Sequence, residues 1–121
     1  MDWIRKVNPV NAIPNNVTTI GDFSFYGCYL LTNVTIPKTA TNIGYRAFDS
    51  CYGLTSVTIP SSVIIIGSNA FYECYSLHDI TIPESVTTIS DKAFLYCTNL
   101  TNATIGKSGG NIGTTIGAFA F

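Results

Sequence analysis

The sequence predicts a coiled repeat solenoid, mostly β, with a parallel sheet on one face and short strands and single helical turns on the other. Three observations predict it. The cysteines Cys28, Cys51, Cys74 and Cys97 are separated by 23 residues each. The same step governs Pro14, Pro37, Pro60 and Pro83; Ile20, Ile43, Ile66 and Ile89; Phe25, Phe48, Phe71 and Phe94; and Leu31, Leu54, Leu77 and Leu100. Thr-Ile-Pro falls on that register three times, at 35–37, 58–60 and 81–83. A fixed period of roughly 20–50 residues marks stacked repeats, each burying its apolar side against its neighbours.

One repeat, residues 31–53, shows how each element follows. Val34 and Ile36 alternate with Asn33 and Thr35, the pattern of a short half-buried strand. Pro37 stops that strand because it has no N–H for a longer ladder. Ala40 and Ile43 are the next inward positions, and Gly44 supplies a tight turn. Ala47, Phe48 and Cys51 lie at i, i+1 and i+4, one face of a helical turn. Gly53 returns the chain to Leu54. Stacking such coils sets each strand beside its copy at roughly 4.8 Å.

The unit Leu54-x-x-Val57-x-Ile59-Pro60-x-x-Val63-x-x-Ile66-Gly67-x-x-Ala70-Phe71-x-x-Cys74 resembles the BspA-type, or treponemal-class, leucine-rich repeat. The match runs from about residue 13 to 105. Ser24 and Ser90 replace the usual Ala and Gly, Ala40 replaces a Val, and Ala103 replaces the strand Val; none of these breaks the coil. The resemblance implies a leucine-rich-repeat solenoid of the α/β class, mostly β. It also implies a non-catalytic binding or adhesion module, extracellular or on a microbial cell surface. The alternative is a structural or assembly component, a segment of a larger surface protein or a viral or phage particle protein, placed in a virion or the cytoplasm.

Residues 1–121 form one solenoid: a degenerate amino-terminal coil or cap over 1–13, four repeats over 14–105, and an incomplete carboxyl-terminal coil over 106–121. Trp3, Ile4 and Val7 suit a cap over the first coil. At the other end Ile112-Gly113 falls on register, and a second Ile116-Gly117 precedes Ala118-Phe119-Ala120-Phe121. No fifth cysteine turn follows. The uncharged tail, with Ile116, Phe119 and Phe121, is read as an assembly contact to a second copy or a neighbouring domain. The alternative is a fold-back that sets Phe119 near the phenylalanine column.

Composition excludes several classes. The chain is 46% hydrophobic and only 11% charged, with a net charge of −1. That is too apolar for disorder and lacks the basic footprint of a nucleic-acid binder. The longest aliphatic run, Val63 to Ile66, falls far short of the roughly 20 residues that span a bilayer, so no membrane insertion is expected. The amino end shows no basic segment leading into an apolar one, so no secretion leader is read there. The Asn-x-Thr sequons at Asn16, Asn33, Asn99 and Asn102 follow from a composition rich in both residues.

No catalytic, cofactor or metal residues are assigned. The cysteines read as small core thiols, buried and reduced, and no closely spaced Cys pair suggests zinc. Gly106-Lys107-Ser108 imitates the end of a phosphate-binding loop, but Thr101 stands where its first Gly is required. His78, the one histidine, has only Asp79 nearby, on the opposite strand face. No nucleophile–base set can be assembled.

The candidate sites are repeated surface columns. On the outer strand face lie Asn33 and Thr35, Ser56 and Thr58, Asp79 and Thr81, and Asn102 and Thr104, and His78 stands in the adjacent column; together they make a hydroxyl-rich candidate ligand face. Tyr29, Tyr52 and Tyr75 follow the cysteines and form a second candidate contact with Ile64 and Ile65, which stand where other coils carry Thr or Asn. The strand face offers roughly 300 Å², against about 800 Å² per partner in a standard interface. Protein or glycan ligands would therefore bind weakly or through many copies.

Overall fold

The computed structural model describes residues 13–106 and 115–121. Over the described residues the chain winds as a solenoid with nine short strands: β1 (Thr19–Ile20), β2 (Asn33–Thr35), β3 (Asn42–Ile43), β4 (Ser56–Thr58), β5 (Ile65–Ile66), β6 (Asp79–Ile82), β7 (Thr88–Ile89), β8 (Asn102–Ile105) and β9 (Thr115–Ile116). Every strand pair is parallel. Pairing keeps the 23-residue step: Ile20 opposes Ile43, Ile43 opposes Ile66, and Ile66 opposes Ile89.

The solenoid has two strand walls. The wall legible from alternation consists of two separate pairs, β2–β4 and β6–β8. The longer, continuous wall is the five-stranded sheet β1-β3-β5-β7-β9. It is built where the sequence showed only one inward isoleucine per coil. Between the walls, Phe48, Phe71, Leu54, Leu77, Cys51, Cys74, Ala70 and Ile66 are fully buried. Gly67 stands where the five-stranded wall turns toward the phenylalanines; a Cβ there would lie 2.8 Å from the carbonyl carbon of Gly44 in the coil below. The column therefore favours a residue without a side chain.

The expected helical turn is replaced by something else. Ala47, Phe48 and Cys51 do face inward, but among the described residues none is helical, and six-residue turns occupy 22–27, 45–50, 68–73 and 91–96. Each turn holds two left-handed residues four positions apart. The first is Phe23, Arg46, Asn69 or Lys92, with φ from 53° to 59°; the second is Gly27, Ser50, Glu73 or Tyr96, with φ from 57° to 68°. These residues redirect alternate peptide groups along the solenoid axis. The N–H groups of Phe23, Phe25 and Gly27 donate to the Tyr45, Ala47 and Asp49 carbonyls of the next coil at 2.8–3.0 Å. Those of Ser24, Tyr26 and Cys28 donate three residues back. A helix would need all of these donors for its own i−4 bonds.

The carboxyl-terminal register differs from the one read in the sequence. Ile116, not Ile112, opposes Ile89, a step of 27 residues. Ala120 and Phe121 then fall on the Ala-Phe columns: Phe94 N–H donates to the Ala120 carbonyl at 2.6 Å, and Ala120 is buried. Phe121 holds the place by the phenylalanine column that the fold-back reading gave to Phe119. Phe119 instead takes a left-handed position, φ 55°, and points outward. The amino-terminal cap with Trp3, Ile4 and Val7, together with Lys107, Ser108, Ile112 and Gly113, lies outside the described residues.

Candidate functional site

The outer face of the first wall is assembled by strand alternation. Val34, Val57 and Ile80 point inward, so Asn33, Thr35, Ser56, Thr58, Asp79, Thr81, Asn102 and Thr104 point outward, and all eight are exposed, as is His78. Register aligns them: Asn33 with Ser56, Thr35 with Thr58, Asp79 with Asn102, and Thr81 with Thr104. Asn102 Nδ2 donates to Asp79 Oδ1 at 2.9 Å, so the face's one carboxylate is tied to the neighbouring coil. The Thr55 and Thr101 hydroxyls donate to the carbonyls of Thr32 and His78 at 2.9 and 3.4 Å. The face has no ladder between β4 and β6, so it is two paired patches side by side.

The tyrosine column is a physical stack. Tyr29 and Tyr52 have ring centroids 5.9 Å apart, and Tyr52 and Tyr75 5.1 Å apart, with planes within 15°. Burial, the Glu73 charge and a hydrogen bond with the Glu73 side chain push the Tyr75 phenol pKa up. Ile64 and Ile65 are exposed on the other wall, 44% and 39%, between Thr41 and Asn42 on one side and Thr87 and Thr88 on the other. The structure thus places the two contact candidates on different sides of the coil.

The thiols sit in the core, and all four are free and buried. Three of them are also coil-to-coil donors: Cys51, Cys74 and Cys97 Sγ lie 3.1–3.2 Å from the carbonyls of Phe25, Phe48 and Phe71. Burial pushes the Cys74 thiol well above its ordinary pKa, the opposite of what a reactive thiolate needs. Among the described residues no group of three His, Cys, Asp or Glu is placed to hold a metal, and no helix is long and apolar enough to cross a membrane.

The sequence reading missed two features. Asp49 is buried at 2% exposure, accepts the Ser50 hydroxyl at 2.7 Å, and lies 3.6 Å from Arg46 Nε. Desolvation raises its pKa despite the Ser50 hydrogen bond and the Arg46 charge. Asp22 and Asp91 accept the backbone N–H groups of Tyr45 and Ala118 in the following coils. None of these carboxylates repeats through a full column, so the 23-residue period carries no signal for them. The last coil leaves an apolar hollow of about 450 Å³ lined by residues including Cys97, Leu100, Ala103 and Phe121.

The model of the BspA type leucine rich repeat region matches residues 8–121 in six copies. No curated protein matches the chain. A leucine-rich repeat protein from Bacteroides capillosus superposes with a TM-score of 0.73 at 31% identity, over 82% of this chain and 78% of that one. A leucine rich cell surface protein from Faecalibacterium prausnitzii is 29% identical with a TM-score of 0.66, over 83% of this chain. This chain spans only 32% of the Faecalibacterium protein. The T. pallidum leucine rich repeat protein shares the fold at 20% identity and a TM-score of 0.52, over 86% of this chain and 77% of that one.

Proposed function

The chain belongs to the BspA-type leucine-rich repeat family, and from that premise we propose that it is a non-catalytic binding module, working at a cell surface, that recognises protein or glycan ligands through its coil surface. One observation carries the reading: exposed polar side chains recur in register within each of the two strand pairs, β2–β4 and β6–β8. A nearly neutral array of hydroxyl and amide groups suits a polar, uncharged ligand. Its small area makes single-site binding weak, so strength comes from multiplicity. The likeness to a protein described as a cell surface protein supports the location.

The test is binding of the full chain, immobilised at low and at high density, to panels of extracellular matrix proteins and neutral glycans. Binding should rise more steeply than density, and Thr58→Lys and Asp79→Ala should weaken it. Affinity unchanged in Thr58→Lys, His78→Ala and Asp79→Ala alike would remove the strand face from the proposal. A second reading, an assembly component joined through its carboxyl-terminal end, is favoured by the apolar hollow beside Leu100 and Ala103. There Ala103 is exposed, whereas its counterparts Val34, Val57 and Ile80 are buried.

A further inference from the structure

All seven tyrosines of the chain, Tyr26, Tyr29, Tyr45, Tyr52, Tyr72, Tyr75 and Tyr96, lie on the turn edge between the two walls, and none lies on a strand. Phe23 and Phe119 join them there. Phe23 touches both Tyr26 and Tyr45, at centroid distances of 5.8 and 5.4 Å, and Tyr72 meets Tyr96 at 5.5 Å. All eight non-glycine residues with positive φ, from Phe23 to Phe119, lie on this same edge.

We propose that this aromatic edge is an isologous interface between two copies of the chain, and that the module works as a dimer.

Area is the first argument. Eight of these aromatic side chains show between 38% and 71% of their surface. At roughly 150–250 Å² per aromatic side chain, that is on the order of 800 Å², the per-partner area of a standard interface. The hydroxyl face offers less than half of it. The second argument is self-complementarity. A phenol O–H both donates and accepts, so a tyrosine surface can hydrogen-bond to a copy of itself across a two-fold axis, the commonest symmetry of soluble oligomers. The edge also carries both signs of charge, Arg46 and Lys92 beside Glu73, so no single-sign field opposes pairing. Third, the stacked Tyr29, Tyr52 and Tyr75 rings are already ordered, which lowers the entropy cost of association. Tyr52 is covered on both faces and Tyr29 and Tyr75 on one, so the stack offers mainly edges and hydroxyls. That suits a protein surface better than a sugar ring laid flat. The inference does not rest on the ligand reading, but it supplies the multiplicity that reading needs, because pairing along the turn edge leaves both strand faces open.

The experiment is sedimentation velocity with light scattering on the full chain, from roughly 1 μM to 1 mM, with melting curves to confirm folding. The mass should double across the series. Tyr29→Ser and Tyr45→Ser should each raise the dimer dissociation constant about tenfold or more with the fold intact. Thr58→Lys on the strand face and Ala103→Asp at the last-coil hollow should leave it unchanged. A chain that stays monomeric throughout overturns the proposal. So does a dimer indifferent to both tyrosine substitutions, or one abolished by Ala103→Asp, which would move the contact to the coil end. Ligand binding to the strand face is read separately, through Thr58→Lys.

Discussion

Phe121 lies face to face on Phe94, with ring centroids 5.0 Å apart and planes 9° from parallel. It ends a column in which Phe25, Phe48, Phe71 and Phe94 stack at 4.9–5.1 Å. Position in the column sets the expected cost of truncation. Phe71 is fully buried between two rings, whereas Phe121 is 45% exposed. Phe71→Ala should cost roughly 3–5 kcal/mol by leaving a cavity, and Phe121→Ala well under half of that. Urea unfolding of both variants checks this; no loss at Phe121 would contradict the 27-residue step that puts it in the column, and a loss equal to that at Phe71 would contradict its half-exposed position.

The thiols should label in a fixed order. Cys51 and Cys74 are fully buried, while Cys97 is 9% exposed and borders the carboxyl-terminal hollow. Native-state alkylation followed by mass spectrometry should find all four slow, with Cys97 the fastest. Cys74 modified as quickly as Cys97 would count against the stacked core.

Backbone geometry predicts an unusual pair of substitutions at an exposed lysine. Lys92 has φ 59°, a region that costs an ordinary L-residue roughly 1–2 kcal/mol and that Asn visits more readily. Asn69 already fills the equivalent place one coil earlier. Lys92→Asn should therefore leave stability equal or raise it by up to about 1 kcal/mol, while Lys92→Ile should lower it by about 1–2 kcal/mol, since β-branched residues fit that region worst. Thermal melts of the two variants measure the difference.

Asp49 gives stability a pH dependence of defined sign. Its folded-state pKa is raised above the ordinary 3.8, first by desolvation, so the native state binds the proton more tightly than the unfolded chain. The resulting stabilisation is complete below 3.8 and is lost as pH rises through the folded pKa. The melting temperature of the native chain, taken relative to Asp49→Asn, should fall across that interval. A difference that rises with pH would mean that Arg46, rather than burial, controls the carboxyl.

Asp79 should behave as a surface residue. Removing its hydrogen bond to Asn102 in Asp79→Ala should change stability by less than about 0.5 kcal/mol, as read by urea unfolding. This separates any loss of binding from loss of fold.

The sequence makes some of these features readable and hides others for physical reasons. Inward positions such as Ile66, Phe71 and Leu77 repeat because stacking demands the same shape in each coil, so the period shows them directly. The five-stranded wall was under-read because two residues, as in Thr88–Ile89, give no alternation to count. The left-handed turns leave no mark at all: Phe23, Arg46, Asn69 and Lys92 share a backbone conformation and no side-chain chemistry. At the carboxyl end, Ile112-Gly113 and Ile116-Gly117 compete for one register, and only the second is followed by Ala and Phe at the spacing of Ala70-Phe71. The hydroxyl face was legible from strand alternation alone. Asp49 was not, because the same column holds Tyr26, Tyr72 and Leu95 in other coils.

The four extra residues between Ile89 and Ile116 leave β9 paired in line with β7. The pairing of β8 with β6 and of β9 with β7 is kept although the chain between β8 and β9 is four residues longer than in the other coils. The corners after Ile36, Ile59 and Ile82 occupy the same place in their own coils. Foreign peptides grafted at these corners would be displayed along one side of a rigid rod at intervals of one rung, and gene duplication could lengthen the rod while each corner diversified independently.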